Sequence, residues 1–243
     1  MQYIKVLATD STNAALKTYY RNSSSITNTC LSATHQKKGS GQKGTSWETE
    51  DGKNLTFSLL LQDLNLDIDF SFKISALVSL AVSDFAQQKL PDQKVKIKWP
   101  NDILADNFKI AGILIENFLR KNKIHTSIIG IGLNINQTFF KDLPRAGSFK
   151  MFTHKNYNLE ELLPDLAEQI EKKVYDGIHT PLSEILKKYE SHLFRINKVS
   201  TFQFPDGNLA KGKIKGIQPS GKLWVEFEGT QKEFDIKEIK LVY

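Results

Sequence analysis

The chain has 243 residues, 40% of them hydrophobic and 25% charged, and is long enough for one large domain or a main domain with a small appendage. Its net charge of +6 favours contact with phosphates or acidic partners, but does not choose among a nucleotide, a nucleic acid and an acidic protein. The single cysteine, Cys30, excludes a disulfide framework within the chain and a cysteine-rich zinc site.

The N-terminal residues lack the basic segment and apolar core of a signal peptide. No uncharged apolar stretch reaches the roughly 20 residues that span a bilayer, so we expect a cytoplasmic protein without a membrane partner. Residues 3–8 predict a short strand, and residues 10–13, DSTN, predict the cap of a helix that continues through Tyr19. This cluster is more polar than capping requires, so its amides and hydroxyls are candidates for binding a neutral polar ring.

A glycine-rich polar loop follows a second predicted strand at residues 29–34. Its centre, residues 39–44, reads GSGQKG, and Trp47 follows shortly after. Glycines let a backbone approach a ligand closely and turn N–H groups toward an anion, while neighbouring lysines add positive charge. The loop lacks the Gly-Lys-Ser/Thr ending of a P-loop, and no helix directly follows it as in a dinucleotide fingerprint. An anion-binding loop and an ordinary surface loop both explain these residues.

The middle of the chain predicts a mixed or antiparallel sheet with helices packed on it, which is an α+β fold. The predicted elements are a strand at 55–61, an amphipathic helix at 72–90, and strands at 95–99, 109–117 and 126–136. Lys98 and Lys109 lie on either side of the turn WPND, at strand ends from which both can reach toward a shared anion. For Asn101 and Asp102 by themselves, a hairpin turn between two solvated lysines explains the same residues.

Glycines also interrupt the last of these strands, in the segment GIGLNIN at residues 130–136. Glycine inside a strand marks either the close approach of a backbone or ligand or a bulge, and both fit here. Two helices follow, from about Asn158 and from Thr180-Pro181. After about Arg195, short strands and the turns PDGN and PSGK predict a small SH3-like β-barrel, which divides the chain into domains at 1–194 and 195–243.

Several common catalytic arrangements find no support in the sequence. The five histidines have no paired spacing of the HExxH kind, so a histidine metal site is not expected. No serine lies in a G-x-S-x-G motif, and Cys30 on a predicted strand is typical of a small core residue. Hydrolase chemistry is therefore not indicated.

The order of the motifs resembles that of the biotin protein ligases, also called biotin–[acetyl-CoA-carboxylase] ligases. The matching segments, within about residues 1–140, are DSTN, the glycine-rich basic loop ending in tryptophan, KWPND, KIAGILIE and GIGLNIN. The resemblance implies a class II synthetase-like catalytic fold with a C-terminal SH3-like barrel. It also implies ATP, Mg²⁺ and biotin as substrates or cofactors, formation of biotinoyl-AMP, and transfer of biotin to a lysine of a biotin carboxyl carrier protein domain.

The resemblance assigns roles to residues at matching positions of this chain. Biotin-binding positions are Ser11, Thr12, Asn13, Gln36, Ser40, Gly41, Gln42 and Lys109. ATP-binding or adenylate-binding positions are Gly39, Lys43, Gly44, Trp47, Lys98, Asn101, Asp102 and Asn134. Lys109 is expected to act in catalysis by contacting the biotin carboxylate and phosphoryl oxygens, and Asp102 is expected to help hold the metal.

One departure concerns the loop, where the family commonly has G-R-G-R and this chain has Gly39-Ser40-Gly41-Gln42. Two arginine side chains, whose guanidinium groups pair well with carboxylates and phosphates, are therefore absent. A lipoate or octanoate ligase of the same superfold, and a non-catalytic binder of biotin or nucleotide, stay as alternatives. The motifs begin at residue 10, so we expect no preceding DNA-binding domain and no DNA partner. The resemblance also allows a homodimer through the central sheet.

Overall fold

The computed structural model describes residues 1–23, 27–39 and 41–243, apart from the side chain of Lys43. Its larger sheet has the strands β1 (Gln2–Thr9), β2 (Thr29–Gln36), β3 (Leu55–Leu61), β4 (Leu66–Asp67), β5 (Val95–Lys98), β6 (Asp102–Ala105), β7 (Phe108–Arg120) and β8 (Lys123–Leu133). Across the sheet the order is β1-β2-β3-β8-β7-β6-β5, and β4 pairs with β8. Strands β1 and β2 run parallel, whereas the other described pairs are antiparallel.

The helices pack on both faces of this sheet. They are α1 (Thr12–Asn22), α2 (Ser71–Lys89), α3 (Phe149–Thr153), α4 (Leu159–Gly177) and α5 (Leu182–Ser191). The two faces are distinguished by alternate residues of β3, because successive side chains of a strand point to opposite sides. Leu59 and Leu61 belong to the main core with α2 and α4, whereas Leu60 belongs to a smaller cluster with Leu16 of α1. Burying each such leucine contributes roughly 1.5–3 kcal/mol.

A second sheet follows the helices. Its strands are β9 (Val199–Gln203), β10 (Leu209–Ile217), β11 (Leu223–Phe227), β12 (Thr230–Phe234) and β13 (Lys240–Val242). They are antiparallel in the order β12-β11-β10-β9-β13, which is consistent with an SH3-like domain. The predicted α+β fold, with helices on a mixed sheet and a small C-terminal β-structure, is confirmed. The division of the chain at residues 194 and 195 stays a prediction.

Three local predictions differ from the structure. Strand β6 was not predicted, because its first residue, Asp102, is the last residue of the WPND turn and the strand ends after four residues at a tight turn where Asp106 has φ +53°. Helix α3 was not predicted either, since five residues are too few for a helical period to show. Helix α5 begins at Leu182. The sequence, by contrast, predicts Thr180 as its cap and Pro181 as its first helical residue, whereas Pro181 occupies the cap position.

The second sheet is joined to the larger one by polar and apolar contacts. The indole N–H of Trp99, in the WPND turn, donates to the carbonyl of Gly221 at 2.9 Å. The carboxylate of Glu190 in α5 accepts from the N–H of Ile217 at 2.8 Å. Phe202 of β9 is fully buried in the same core as α2. The position of the second sheet is thus fixed against the WPND turn.

Trp99→Phe is expected to weaken this junction. The variant keeps an aromatic ring but removes the donor to the Gly221 carbonyl, so the free energy of unfolding should fall by about 1 kcal/mol. The melting temperature of a chain of this size should fall by about 2–4 °C. The matched control is Trp224→Phe, since the indole N–H of Trp224 forms no hydrogen bond with any described residue. Denaturant unfolding with equal losses for the two variants would contradict the assigned role of the indole N–H.

None of the described helices combines the length and the apolar character that crossing a membrane requires.

Candidate active site

A cavity of about 610 Å³ opens between the larger sheet, the glycine-rich loop and the second sheet. This volume is typical of a small-molecule site. Predicted site residues that line it are Ser11, Thr12, Asn13, Gln36, Gly41, Gln42, Trp47, Lys98, Asn101, Asp102 and Lys109. Gly39, Gly44 and Asn134 are not among its lining residues, and Ser40 and the Lys43 side chain lie outside the described residues.

One end of the cavity is polar and uncharged, and is built from the start of α1 and the end of β2. The N–H of Thr12 donates to Gln36 Oε1 at 2.7 Å, and the Thr12 hydroxyl oxygen lies 3.1 Å from the same oxygen. Ser11 occupies the cap position of α1, but among the described residues its hydroxyl forms no capping hydrogen bond. The Ser11 hydroxyl is therefore available to a ligand in the cavity.

The floor of the cavity consists of glycines on β7 and β8. A Cβ atom on Gly132 would lie 2.2 Å from the indole of Trp47, and one on Gly112 would lie 2.9 Å from it. A Cβ atom on Gly130 would lie 2.3 Å from Asn13 Oδ1. Strands β7 and β8 stay in register through these positions. Close approach, rather than a bulge, therefore explains the glycines that interrupt β8.

The opposite end of the cavity is cationic. Asp102 lies between two ammonium groups, with Lys109 Nζ at 2.6 Å from one carboxylate oxygen and Lys98 Nζ at 3.3 Å from the other. Lys109 Nζ also lies 5.2 Å from the centre of the Trp47 ring. The antiparallel pairing of β5, β6 and β7 brings the three charged residues together, as the sequence predicts for the two lysines.

Backbone hydrogen bonds hold both parts of this cationic end. Lys109 donates its N–H to the Arg145 carbonyl at 2.7 Å and accepts from the N–H of Gly147 at 2.9 Å. The side chain of Asn101 donates to the carbonyl of Ile113 at 2.7 Å, which fastens the WPND turn to β7. A site on paired strands is positioned more rigidly than one on a free loop.

Asn134 supports the site from outside the cavity. Its side chain is buried and donates to the carbonyl of Gly147 at 3.0 Å. Gly147 in turn pairs with Lys109, so Asn134 braces the segment that holds this lysine. The predicted contact of Asn134 with a nucleotide stays a prediction.

The second sheet and its connecting turns complete the cavity wall, a role that their sequence does not predict. Their lining residues are Gln203, Phe204, Pro205, Gly207, Ile236, Lys237, Ile239 and Lys240. Four lysines line the described part of the cavity, namely Lys98, Lys109, Lys237 and Lys240, whereas Asp102 contributes its single carboxylate. This excess of positive charge suits an anionic ligand. No local pattern in residues 199–242 identifies these positions, because their role depends on how the second sheet packs.

Two tyrosines lie behind the cationic end. The ring of Tyr243 has Lys98 Nζ at 5.4 Å and the Arg145 guanidinium at 4.4 Å from its centre. Burial raises the pKa of Tyr243, and the charge of Asp102 raises it further, although Arg145 opposes the shift. Burial likewise raises the pKa of Tyr189. Both phenols are therefore neutral near pH 7 and do not offset the positive charge of the lysines.

In the described part of the chain, no group of three or more His, Cys, Asp or Glu side chains is arranged to hold a metal ion. Asp102 is the single carboxylate among the described lining residues. Cys30 is buried in the core, and burial raises the pKa of its thiol to about 12, which does not suit a nucleophile.

The fold and the cavity define a class of protein whose site is suited to a small molecule with a neutral polar end and an anionic end. The chain belongs to the biotin/lipoate A/B protein ligase family, whose match covers residues 5–134. The resemblance found in the sequence is thereby confirmed.

Individual relatives agree with this family. A biotin–[acetyl-CoA-carboxylase] ligase of Mycobacterium tuberculosis is 24% identical over 92% of this chain and 83% of that protein. The bifunctional ligase/repressor BirA of Bacillus spizizenii is 26% identical over 88% of this chain. The chain spans 66% of that protein and 63% of the Bacillus subtilis protein of the same name, and so at most about two thirds of either.

Solved structures show the same fold. The biotin protein ligase of Aquifex aeolicus, in complex with biotin and ATP, superposes with a TM-score of 0.80 and 25% identity. The superposition covers 99% of this chain and 98% of that one. It therefore includes both sheets.

Proposed function

We propose that the protein activates biotin with ATP to form biotinoyl-AMP, and then transfers biotin to a lysine of a biotin carboxyl carrier protein domain. The observation that carries the proposal is one cavity with a neutral polar end at Thr12 and Gln36 and a cationic end at Lys98 and Lys109. Biotin has a neutral ureido ring at one end and a carboxylate at the other. The family and the relatives named as biotin ligases support the same reaction.

The cationic end suits the first step. A carboxylate oxygen of biotin forms a bond to the α-phosphorus of ATP, and the bond from that phosphorus to the bridging oxygen of pyrophosphate breaks. Two anions must meet for this to occur. Lys109 and Lys98 reduce their repulsion and stabilise the charge that develops at phosphorus, a role performed mainly by prepositioned charges.

Asp102 holds the two ammonium groups while no phosphate is near them. A Mg²⁺ ion bound with ATP needs only one or two protein carboxylates in addition to phosphate oxygens and water, and one carboxylate at this end fits that requirement. Mg²⁺ would neutralise phosphate charge, and Asp102 is the residue proposed to hold it. If phosphate oxygens replaced Asp102 as partners of the two lysines, its carboxylate would be available to hold the cation.

In the second step, the amine of the carrier lysine attacks the carbonyl carbon of biotinoyl-AMP, and AMP leaves with the bonding electrons. The intermediate must be kept from water until the carrier binds. The loop that ends at Trp47 lies over the glycine floor and is suited to this task, because the N–H of Trp47 donates to the Gly39 carbonyl at 2.8 Å and closes the loop. We further propose that the Trp47 ring packs near the adenine.

The polar end of the cavity favours biotin over lipoate. Lipoate has an apolar dithiolane ring, and a site built to hydrogen-bond a polar ring rejects an analogue that leaves its polar groups unpaired. Ser11, Thr12 and Gln36 are such groups. The lipoate or octanoate ligase is therefore the less favoured alternative.

The proposed reaction is tested by pyrophosphate release with ATP and Mg²⁺, using biotin or lipoate as the acid. We expect release that depends on biotin and is much weaker with lipoate. Release with lipoate alone would assign the protein to the other branch of the family. Biotin binding without release would identify a non-catalytic binder, and the loop positions Ser40 and Gln42 would be the first to change to arginine.

Transfer and assembly are tested separately. Adding a biotin carboxyl carrier protein domain to the reaction should give a biotinylated carrier, which a streptavidin blot detects. The homodimer through the central sheet and the absence of a DNA partner stay predictions. Sedimentation velocity with and without biotin and ATP tests the former, and a mobility-shift assay with DNA tests the latter.

A further inference from the structure

Ser58 is a buried hydroxyl in an otherwise apolar strand. Strand β3 reads LTFSLLL from Leu55 to Leu61, and Ser58 is 0% exposed near its centre. By alternation its side chain points to the same face as Leu60, which is the face covered by α1. Gly130 pairs with Ser58 on β8, and the missing Cβ there makes room for the side chain of Asn13. A buried hydroxyl at such a place requires a hydrogen-bond partner.

The partners of Ser58 are two residues of the polar end of the cavity. Its Oγ lies 2.6 Å from Asn13 Oδ1 and 2.8 Å from Thr12 Oγ1. An amide oxygen accepts but does not donate, so Ser58 is the donor of the contact with Asn13. The single hydroxyl proton of Ser58 is then used, so Ser58 accepts from the Thr12 hydroxyl, and the Thr12 N–H is the donor that holds Gln36 Oε1. Neither Ser58 contact was predicted from the sequence, because β3 lies far from both motif residues along the chain.

The other polar atom of the Asn13 side chain, Nδ2, contacts a charged pair formed by Glu116 and Lys17. Asn13 Nδ2 lies 3.3 Å from Glu116 Oε2 and 3.4 Å from the Leu114 carbonyl. The second carboxylate oxygen of Glu116 pairs with Lys17 Nζ at 2.5 Å. Ser58 and Glu116 therefore hold the Asn13 amide from opposite sides and allow only one of its two flipped orientations.

The orientation of Gln36 follows from the same cluster. Gln36 Oε1 accepts from Thr12, so its Nε2 donor points the other way, where a Cβ on Gly39 would lie 3.1 Å from it. Thr12, which Ser58 contacts, thus fixes which end of the Gln36 amide faces the cavity. The pattern of donors and acceptors at the polar end is set by residues behind it.

We propose that Ser58 is a positioning residue which, together with Glu116, fixes the donor and acceptor pattern of the polar end and so its selectivity for a ring with paired N–H and C=O groups. The inference rests on the proposed function, because it assigns the selectivity of the same cavity. Ser58 acts through Thr12 and Asn13, since it is not among the lining residues of the cavity.

The test is Ser58→Ala, with Ser127→Ala as the matched control. Ser127 is a fully buried serine in the same sheet that donates to Asn117 Oδ1 at 2.7 Å, and it does not line the cavity. Dissociation constants of biotin, desthiobiotin and lipoate are measured by calorimetry, and KM values of biotin and ATP by pyrophosphate release. Desthiobiotin keeps the ureido ring and lipoate lacks it.

Ser58→Ala should raise the dissociation constants of biotin and desthiobiotin roughly 10-fold, as expected when a buried acceptor loses its donor. The dissociation constant of lipoate and the KM of ATP should change less than about twofold, since neither depends on this cluster. Ser127→Ala should leave all five measured constants unchanged, because the loss of its hydrogen bond affects only stability. Thermal unfolding of both variants shows whether each still folds.

Substitution of Glu116 provides a second, independent test. Glu116→Gln keeps an acceptor for Asn13 and should bind biotin nearly as the wild type does, whereas Glu116→Leu should weaken biotin about as much as Ser58→Ala. The inference would be overturned if the affinities for biotin and lipoate and the KM of ATP were impaired equally. It would also be overturned if either Ser58→Ala or Glu116→Leu bound biotin as tightly as the wild type. Wild type that binds biotin but releases no pyrophosphate would overturn the proposed reaction alone, and wild type that binds no biotin would overturn both.

Discussion

Lys109→Ala is expected to slow formation of biotinoyl-AMP roughly 100- to 1,000-fold, which is the cost of removing one prepositioned charge that stabilises a transition state. The reason lies in its position, with Nζ 2.6 Å from Asp102 and 5.2 Å from the centre of the Trp47 ring. Single-turnover adenylation, measured by rapid quench, isolates this step from product release. The KM of the carrier domain should change little.

The control for Lys109→Ala is Lys123→Ala, at the far end of the same hairpin, where the variant should react at the wild-type rate. Lys109→Arg keeps the charge but alters its geometry, and should recover only part of the rate. If Lys109→Ala formed the adenylate at nearly the wild-type rate, the assignment of the cationic end would be wrong. Parallel thermal unfolding excludes a general loss of the fold as the cause.

Gly132→Val should affect the floor of the cavity most strongly. A Cβ at this position would lie 2.2 Å from the Trp47 indole, which is closer than real contacts allow, so the ring must move. We expect the adenylation rate to fall roughly 100-fold, because a displacement of about 1 Å at a reacting site has an effect of that size. Single-turnover adenylation and biotin calorimetry measure the loss.

Gly112→Ala provides the graded comparison, since its Cβ would lie 2.9 Å from the same ring and requires a smaller shift. Its effect should lie between the wild type and Gly132→Val. Gly229→Ala is the control for a glycine with positive φ and open space around it, and should alter stability without altering adenylation. Equal activities for Gly112→Ala and Gly132→Val would show that contact with Trp47 is not the cause.

The sequence predicts best those features that depend on neighbouring strands. Lys98 and Lys109 meet because short hairpins join β5, β6 and β7, so local pairing is enough to bring them together. The glycines of β8 stand out in the sequence as interruptions of a strand pattern, whereas Gly112 of β7 does not. Their reason, the indole of Trp47 lying against them, required the three-dimensional position of the loop.

Features that depend on distant packing were not predictable. By pattern, Lys237 and Lys240 are ordinary exposed residues of the C-terminal turns and strands, and they enter the cavity wall only because the second sheet is held against the WPND turn. Asn134 was assigned from its motif, but the sequence does not show that its side chain turns to Gly147. Ser58 looked like part of an apolar strand, since the direction of one hydroxyl depends on α1.

The wall contributed by the second sheet couples ligand binding to folding. The cavity exists only where residues from β9 and β13 face those from β5 and β7, so a ligand that fills it binds the joined state and not a state with the sheets apart. Ligand at 100 times its dissociation constant then adds about 2.7 kcal/mol to the stability of the junction. Bound ligand should therefore make the two sheets unfold together in a single cooperative transition.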